Sequence, residues 1–141
     1  MMREKAQRVG GRQAGPAEVR SRHIESKRGG IMEIQTRKEK NAVIVSVKGR
    51  MDAVTAPEFE KNLSDLIAEG ENTFLLNFGG LEYISSAGLR SILATAKKLK
   101  EKEGKILFAG LHGPVEEVFK ISGFNSIFKM FTSEEAALGE I

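Results

Sequence analysis

The chain contains no cysteine, which excludes disulfides and thiolate-held metal ions and makes a reducing compartment the simplest setting. Histidine is scarce too: His23 and His112 are the two present, far apart, with no serine or acid at a suggestive spacing from either. A metal centre or a nucleophilic triad has little to be built from. No apolar run approaches the ~18 residues of a membrane span, and the N-terminus lacks the apolar core of a secretory signal. A soluble, cytoplasmic protein is expected. Its 141 residues suffice for one domain with a real core and give no reason to expect two.

Acidic charge is sparse in one region in particular. Residues 1–31 carry eight bases (Arg3, Lys5, Arg8, Arg12, Arg20, Arg22, Lys27, Arg28) against three acids (Glu4, Glu18, Glu25), a charge of +5. The remainder then holds 14 bases and 16 acids, or −2, so the net +3 belongs to the tail. The tail also lacks aromatics and has few large apolar side chains, and it has glycine pairs at Gly10-Gly11 and Gly29-Gly30. Such a segment cannot bury enough surface to offset chain entropy, so residues 1–31 are expected to be a disordered basic tail. It reads either as a weak electrostatic arm for phosphates or as a solvated extension ahead of a patterned domain that starts at Met32. The second reading is preferred, because scattered bases without stacking partners are a weak nucleic-acid signal.

From Met32 onward the pattern is regular. Glu33 to Thr36 is expected to be a short edge strand, forming a hairpin with "AVIVSVKG", whose Val43, Val45 and Val47 alternate with Ile44, Ser46 and Lys48. "TAPEFEKNLSDLIAEG" has helical period, with Thr55 and Glu58 spaced as a capping box and Pro57 in the first turn. "TFLLNF", Thr73 to Phe78, is an apolar run suited to a strand covered on both faces. A second helix follows with Leu89, Ile92, Leu93, Ala96 and Leu99 on one face. "KILFAG" and "SIFKMF" read as further strands, separated by a helix from Pro114, and Thr132 with Glu135 predicts a capping box for a last helix over 133–138. Strands alternating with helices imply an α/β fold with a mixed, largely parallel sheet. Whether Phe124, Ile127, Phe128 and Phe131 are core or surface patch is left open by pattern.

Catalytic constellations are thin. Asp52, Glu58 and Glu60 lie close in sequence, but Glu58 has a capping role and Glu60 an outward position, which leaves no acid/base pair. "NFGG" and "AGLHGP" match neither a Walker loop nor a dinucleotide fingerprint and read as turns. No enzyme, cofactor or metal site is expected. What stands out is "EYISSAGLR", where Ser85 and Ser86 meet the start of a helix. One serine is accounted for as an N-cap. The other is not.

Three blocks, "GRMDAVTAPEFEKNL", "FLLNFGGLEYISSAGLRSIL" and "GKILFAGLHGPVEEVFKISGF", together resemble a bacterial anti-sigma factor antagonist, of the STAS-domain family of partner-switching regulators. The resemblance covers about residues 33–139 and implies a STAS domain over 32–141, with a four- to five-stranded mixed sheet and about four helices packed mainly on one face. It implies a protein that, unphosphorylated, binds an anti-sigma factor that is itself a serine protein kinase, thereby releasing a sigma factor. The kinase then phosphorylates a serine in the antagonist, and a PP2C-type phosphatase reverses this. Carried over by position, the phosphoacceptor falls on Ser86, with Ser85 the alternative. The family aspartate ahead of the acceptor is replaced here by Ser85. The residue before the family glycine falls on Ala87, the glycine on Gly88 and the leucine after it on Leu89; the family's Gly-x-x-Asp falls on Gly49 and Asp52. The implied partner-binding residues are Asp52, Ser85, Ser86, Ala87, Gly88 and Leu89, with Asp52 readable equally as a turn former. Two other roles fit the same resemblance: a non-catalytic STAS subunit of a lipid-transport or other membrane complex, or a phosphorylation-independent signalling scaffold.

Overall fold

Alternation along two strands sets up a sheet with two buried faces. Val43, Val45 and Val47 of β3 (Ala42–Met51) and Phe74, Leu76 and Phe78 of β4 (Thr73–Ile84) point to one side, while Ile44 and Leu75 point to the other. The computed structural model describes the backbone of residues 20–25 and all of residues 31–141. The sheet has six strands in the order of the chain, adding β1 (Arg20–Glu25), β2 (Ile31–Glu39), β5 (Lys105–Ala109) and β6 (Lys129–Phe131). β1–β2 and β2–β3 pair antiparallel; β3–β4, β4–β5 and β5–β6 pair parallel.

Each parallel step requires a crossover, and crossovers are right-handed almost without exception. When every step moves in the same direction across the sheet, a fixed hand puts every crossover helix on the same face. So it is here: α1 (Ala56–Ala68), α2 (Ser86–Glu101) and α3 (Gly113–Ile121) bury Phe59 and Leu63, Ile92 and Leu99, and Val115 and Phe119 in one core with the β3 and β4 residues. At its centre the Phe78 ring meets those of Phe59, Phe108 and Phe119 at centroid distances of 6.4, 5.7 and 6.1 Å. Among the described helices only α4 (Glu134–Leu138), which follows the last strand, lies on the opposite face, where Ala137 packs with Ile44, Leu75, Leu107 and Ala109.

The structure corrects several expectations. Residues 20–25, assigned above to a disordered tail, form β1, whose pairing from Arg20↔Thr36 to Glu25↔Ile31 makes β2 an interior strand rather than an edge. The expected disorder of residues 1–19 and 26–30 lies outside the described residues. β4 runs on to Ile84, through the Gly79-Gly80 pair read as a turn. In α2 the buried face is Ser91, Ile92, Thr95 and Leu99, and Leu93 is exposed. The α4 cap is Ser133, accepting from the Ala136 N–H at 3.1 Å, one residue later than expected. Phe124 is core, Phe128 and Phe131 pack on opposite faces half-buried, and Ile127 is exposed.

α4 is held by a polar clasp. Glu134 accepts hydrogen bonds from Arg37 on β2 and from Asn77 Nδ2 on β4, the latter at 2.7 Å. Partial burial alone would raise the carboxyl pKa, but the hydrogen bonds from Arg37 and Asn77 and the Arg37 charge outweigh it and hold Glu134 below its ordinary value of 4.5. A carboxylate with a depressed folded-state pKa stabilises above the unfolded value and loses that contribution as pH falls through the folded one. Glu134→Gln should therefore cost about 1 kcal/mol at neutral pH, and the deficit should shrink as pH falls below 4.5 and vanish only below the depressed folded-state pKa. Urea unfolding midpoints of both proteins across that range check the convergence.

Candidate functional site

The C-terminal ends of β3 and β4 lie side by side, with Arg50 opposite Tyr83 and Met51 opposite Ile84. Beyond that point both strands turn into helices, and the two turns are joined: the Ser85 N–H donates to Met51 O at 2.8 Å. The loop after β3 and the start of α2 therefore form a single surface.

A bulge aims the first of these turns. The β3–β4 register shifts between Gly49 and Arg50, and Gly49 has φ +94°. A Cβ there would come 2.0 Å from Ile31 O on the neighbouring strand. Only glycine allows both the backbone angle and that approach. Just past the bulge, the Arg50 guanidinium sits 4.1 Å above the Tyr83 ring centroid, a cation–π pair tying β3 to β4 at the rim of the surface.

Asp52 shapes the loop. Its Oδ1 accepts from the Val54 and Thr55 N–H groups at 2.9 and 3.0 Å, an Asx turn. Thr55 does not form the expected capping box with Glu58; buried, it donates its hydroxyl to Arg50 O at 2.9 Å and accepts from the Asp52 N–H at 2.8 Å. The loop is thus rigid, and the half-buried Asp52 carboxylate is fixed within it.

The two serines differ. Ser85 is extended (φ −93°, ψ 173°), and its Oγ accepts from the Gly88 N–H at 3.3 Å, so it is the N-cap of α2. Ser86 is the first helical residue, exposed, and its hydroxyl has no hydrogen-bond partner among the described residues. First-turn N–H groups have no intrahelical acceptor. With that of Gly88 taken by the cap, those of Ser86 and Ala87 are left to favour an anion, together with the positive end of the helix dipole. Gly88 lets the helix start this close to the strands, because a Cβ there would lie 2.7 Å from Ile84 Cγ1 and 3.0 Å from Met51 Sδ. Leu89, half-buried, packs against the core. Ser85→Ala should cost about 1 kcal/mol through loss of the cap, read from the thermal unfolding midpoint, whereas Ser86→Ala should leave that midpoint unchanged.

Three exposed apolar side chains stand at this same end of the sheet. Ile31 opens β2 at the end where β3 finishes, Val54 lies in the Asp52 loop and Tyr83 is the last residue but one of β4; all three are about 40% exposed. Sequence reasoning missed them, since each stands alone in a short segment. Their clustering is created by pairing three strand ends. The site therefore combines a fixed carboxylate, an exposed hydroxyl at a helix start and an apolar rim.

Comparison with known proteins gives a consistent result. Residues 33–137 match the STAS domain family. The chain is similar to BtrV of Bordetella bronchiseptica, which carries the name of an anti-sigma factor antagonist, with 41% identity over 95 residues, covering 67% of this chain and 82% of the relative. Among solved structures, an anti-sigma factor antagonist from Mycobacterium paratuberculosis has a TM-score of 0.72 at 22% identity, covering 84% of this chain and 98% of the other. The Bacillus protein SpoIIAA, an anti-sigma factor antagonist solved in unphosphorylated and phosphorylated forms, gives 0.69 and 0.63 at 23% and 22% identity, covering 76% of this chain in both cases and 94% and 97% of the other. At these identities the two structural likenesses establish the fold.

Proposed function

The chain belongs to the STAS domain family of anti-sigma factor antagonists, and from that premise we propose that it is a non-catalytic, cytoplasmic partner switch controlled at Ser86. In the unphosphorylated form it binds an anti-sigma factor that is a serine protein kinase and so releases a sigma factor. Phosphate transferred to Ser86 ends that binding, and a PP2C-type phosphatase restores it. The partner meets Asp52, Ser85, Ser86, Ala87, Gly88 and Leu89, with Ile31, Val54 and Tyr83 as the apolar margin.

The observation that carries this reading is the state of the Ser86 hydroxyl. It is exposed at a helix start and has no partner among the described residues, while its neighbour is occupied as a cap. A phosphate on Ser86 brings about −1.5 to −2 of charge. Two unclaimed N–H groups and the helix dipole accommodate that charge within the domain. Against a partner surface suited to a neutral hydroxyl and to Asp52, the same charge brings repulsion and a desolvation cost. The fold is kept and the interface is lost.

Incubation with the cognate kinase and ATP, followed by mass spectrometric location of the phosphate, tests the assignment. Phosphate on Ser86, still transferred to a Ser85→Ala variant, supports it; phosphate on Ser85 alone, or on neither, refutes it.

A further inference from the structure

A second concave feature lies toward the opposite end of the sheet from Ser86. Between the C-terminal half of α2, the start of β5 and the segment leading into β6 there is a cavity of about 570 Å³, within the size range of small-molecule sites. Its floor is apolar, formed by Leu93, Leu99, Ile106, Ile127 and Phe128. Its rim holds four lysines, Lys97, Lys100, Lys105 and Lys129, and one acid, Glu140.

Two facts about this lining are not explained by the fold. Leu93 and Ile127, which both line the cavity, are 42% and 62% exposed. The lysines come from α2, β5 and β6, so the helix dipole, which favours cations near the α2 C-terminus, accounts for Lys100 and not for Lys105 or Lys129. Glu140 Oε1 stands 4.0 Å from Lys129 Nζ, while Lys97, Lys100 and Lys105 have no acidic partner among the described residues. Uncompensated positive charge over an apolar floor is complementary to a molecule with one anionic end and a hydrocarbon body.

We propose that this cavity binds a single-chain anionic amphiphile of the fatty-acid class, with the chain on Leu93, Ile127 and Phe128 and the carboxylate among the lysines. The volume favours one chain over a two-chain lipid or a protein helix. Because α2 carries Ser86 at one end and walls the cavity with its other half, an occupant would sit on the same rigid element as the switch.

Calorimetric titration of the full chain with dodecanoate, below its micelle concentration, provides the test. Dodecyltrimethylammonium and acetate serve as charge and head-group controls, and sedimentation with phosphatidylglycerol vesicles as the membrane control. The expected result is saturable binding of one dodecanoate per chain, at least tenfold tighter than the cation, with none for acetate. Lys100→Gln with Lys129→Gln should weaken it about tenfold. Leu93→Asp and, independently, Ile127→Asp should abolish it; both sites are exposed, so the fold should survive, which circular dichroism would verify. The proposal is overturned by absence of saturable binding, by equal binding of the cation, or by full binding in both aspartate variants that remain folded. Vesicle binding without dodecanoate binding would also overturn it and make the surface a membrane contact.

Discussion

With Ser86 replaced by alanine, the protein should remain bound to its anti-sigma partner after incubation with kinase and ATP, and with Ser86→Asp it should bind about a hundredfold more weakly, ~2.7 kcal/mol. The difference arises at the interface, because both variants should unfold at the wild-type temperature or slightly above. Among the described residues Ser86 has no side-chain hydrogen bond that alanine would forfeit, and an aspartate in the first turn of a helix is favoured by the dipole. The effect in the complex has the opposite sign. There the added carboxylate enters the surface that also carries Asp52, which the Asx turn prevents from swinging away, and like charges brought together without water cost several kcal/mol. Affinity measured by surface plasmon resonance, paired with melting curves, separates these contributions. Equal affinity of the two variants would show that charge at this position does not govern binding.

Gly49→Ala should be the most damaging conservative substitution in the domain, lowering stability by about 3–4 kcal/mol. Two costs combine. The backbone angle of +94° is one that side chains rarely adopt, and the added Cβ would be driven to 2.0 Å from a backbone oxygen that itself belongs to a paired strand. A matched control exists in Gly70, which has φ +106° and nothing within 4 Å of the point where a Cβ would stand. Gly70→Ala should isolate the cost of the angle, about 1 kcal/mol. The difference between the two urea unfolding energies then measures the steric part. If they were equal, the β2–β3 contact would be far softer than its geometry implies. Because the bulge at Gly49 aims Arg50 and the Asp52 loop, surviving Gly49→Ala protein should also bind its partner poorly.

Elements whose pattern was local were legible in the sequence. The β3 alternation, the apolar Thr73 to Phe78 run and the helices at Ala56 and Gly113 appear where period and composition placed them. The order of strands and helices then sufficed for the α/β architecture. Failures occurred where tertiary pairing overrides local preference. Gly79 and Gly80 carry a turn signal, yet Gly80 is paired with Lys48 in the β3–β4 ladder and the strand continues. Arg20–Glu25 has the composition of a solvated segment, but β2 offers it an unpaired edge. In α2, Ser91 and Thr95 face inward because their hydroxyls bond to Ala56 O and Ser91 O, so small polar groups pack where leucine was expected. At the site, a serine cap was legible from residue type, but that Ser85 is the one that caps is a finding of the structure, and the distinctive status of Ser86 came from resemblance. The apolar margin of Ile31, Val54 and Tyr83 was invisible, since it arises from three distant segments meeting.

The agreement between strand order and chain order has a consequence for how the molecule forms. No strand must be inserted between two already present, so each neighbour pair closes over only the residues between consecutive strands, and the loop-closure entropy of every step stays small. Contacts are accordingly short in sequence for a sheet protein, which places the domain among the faster-folding mixed α/β topologies. On the ribosome, a nascent chain that has reached the end of any strand can already hold every pairing made so far, with one growing edge awaiting the strand still to be synthesised.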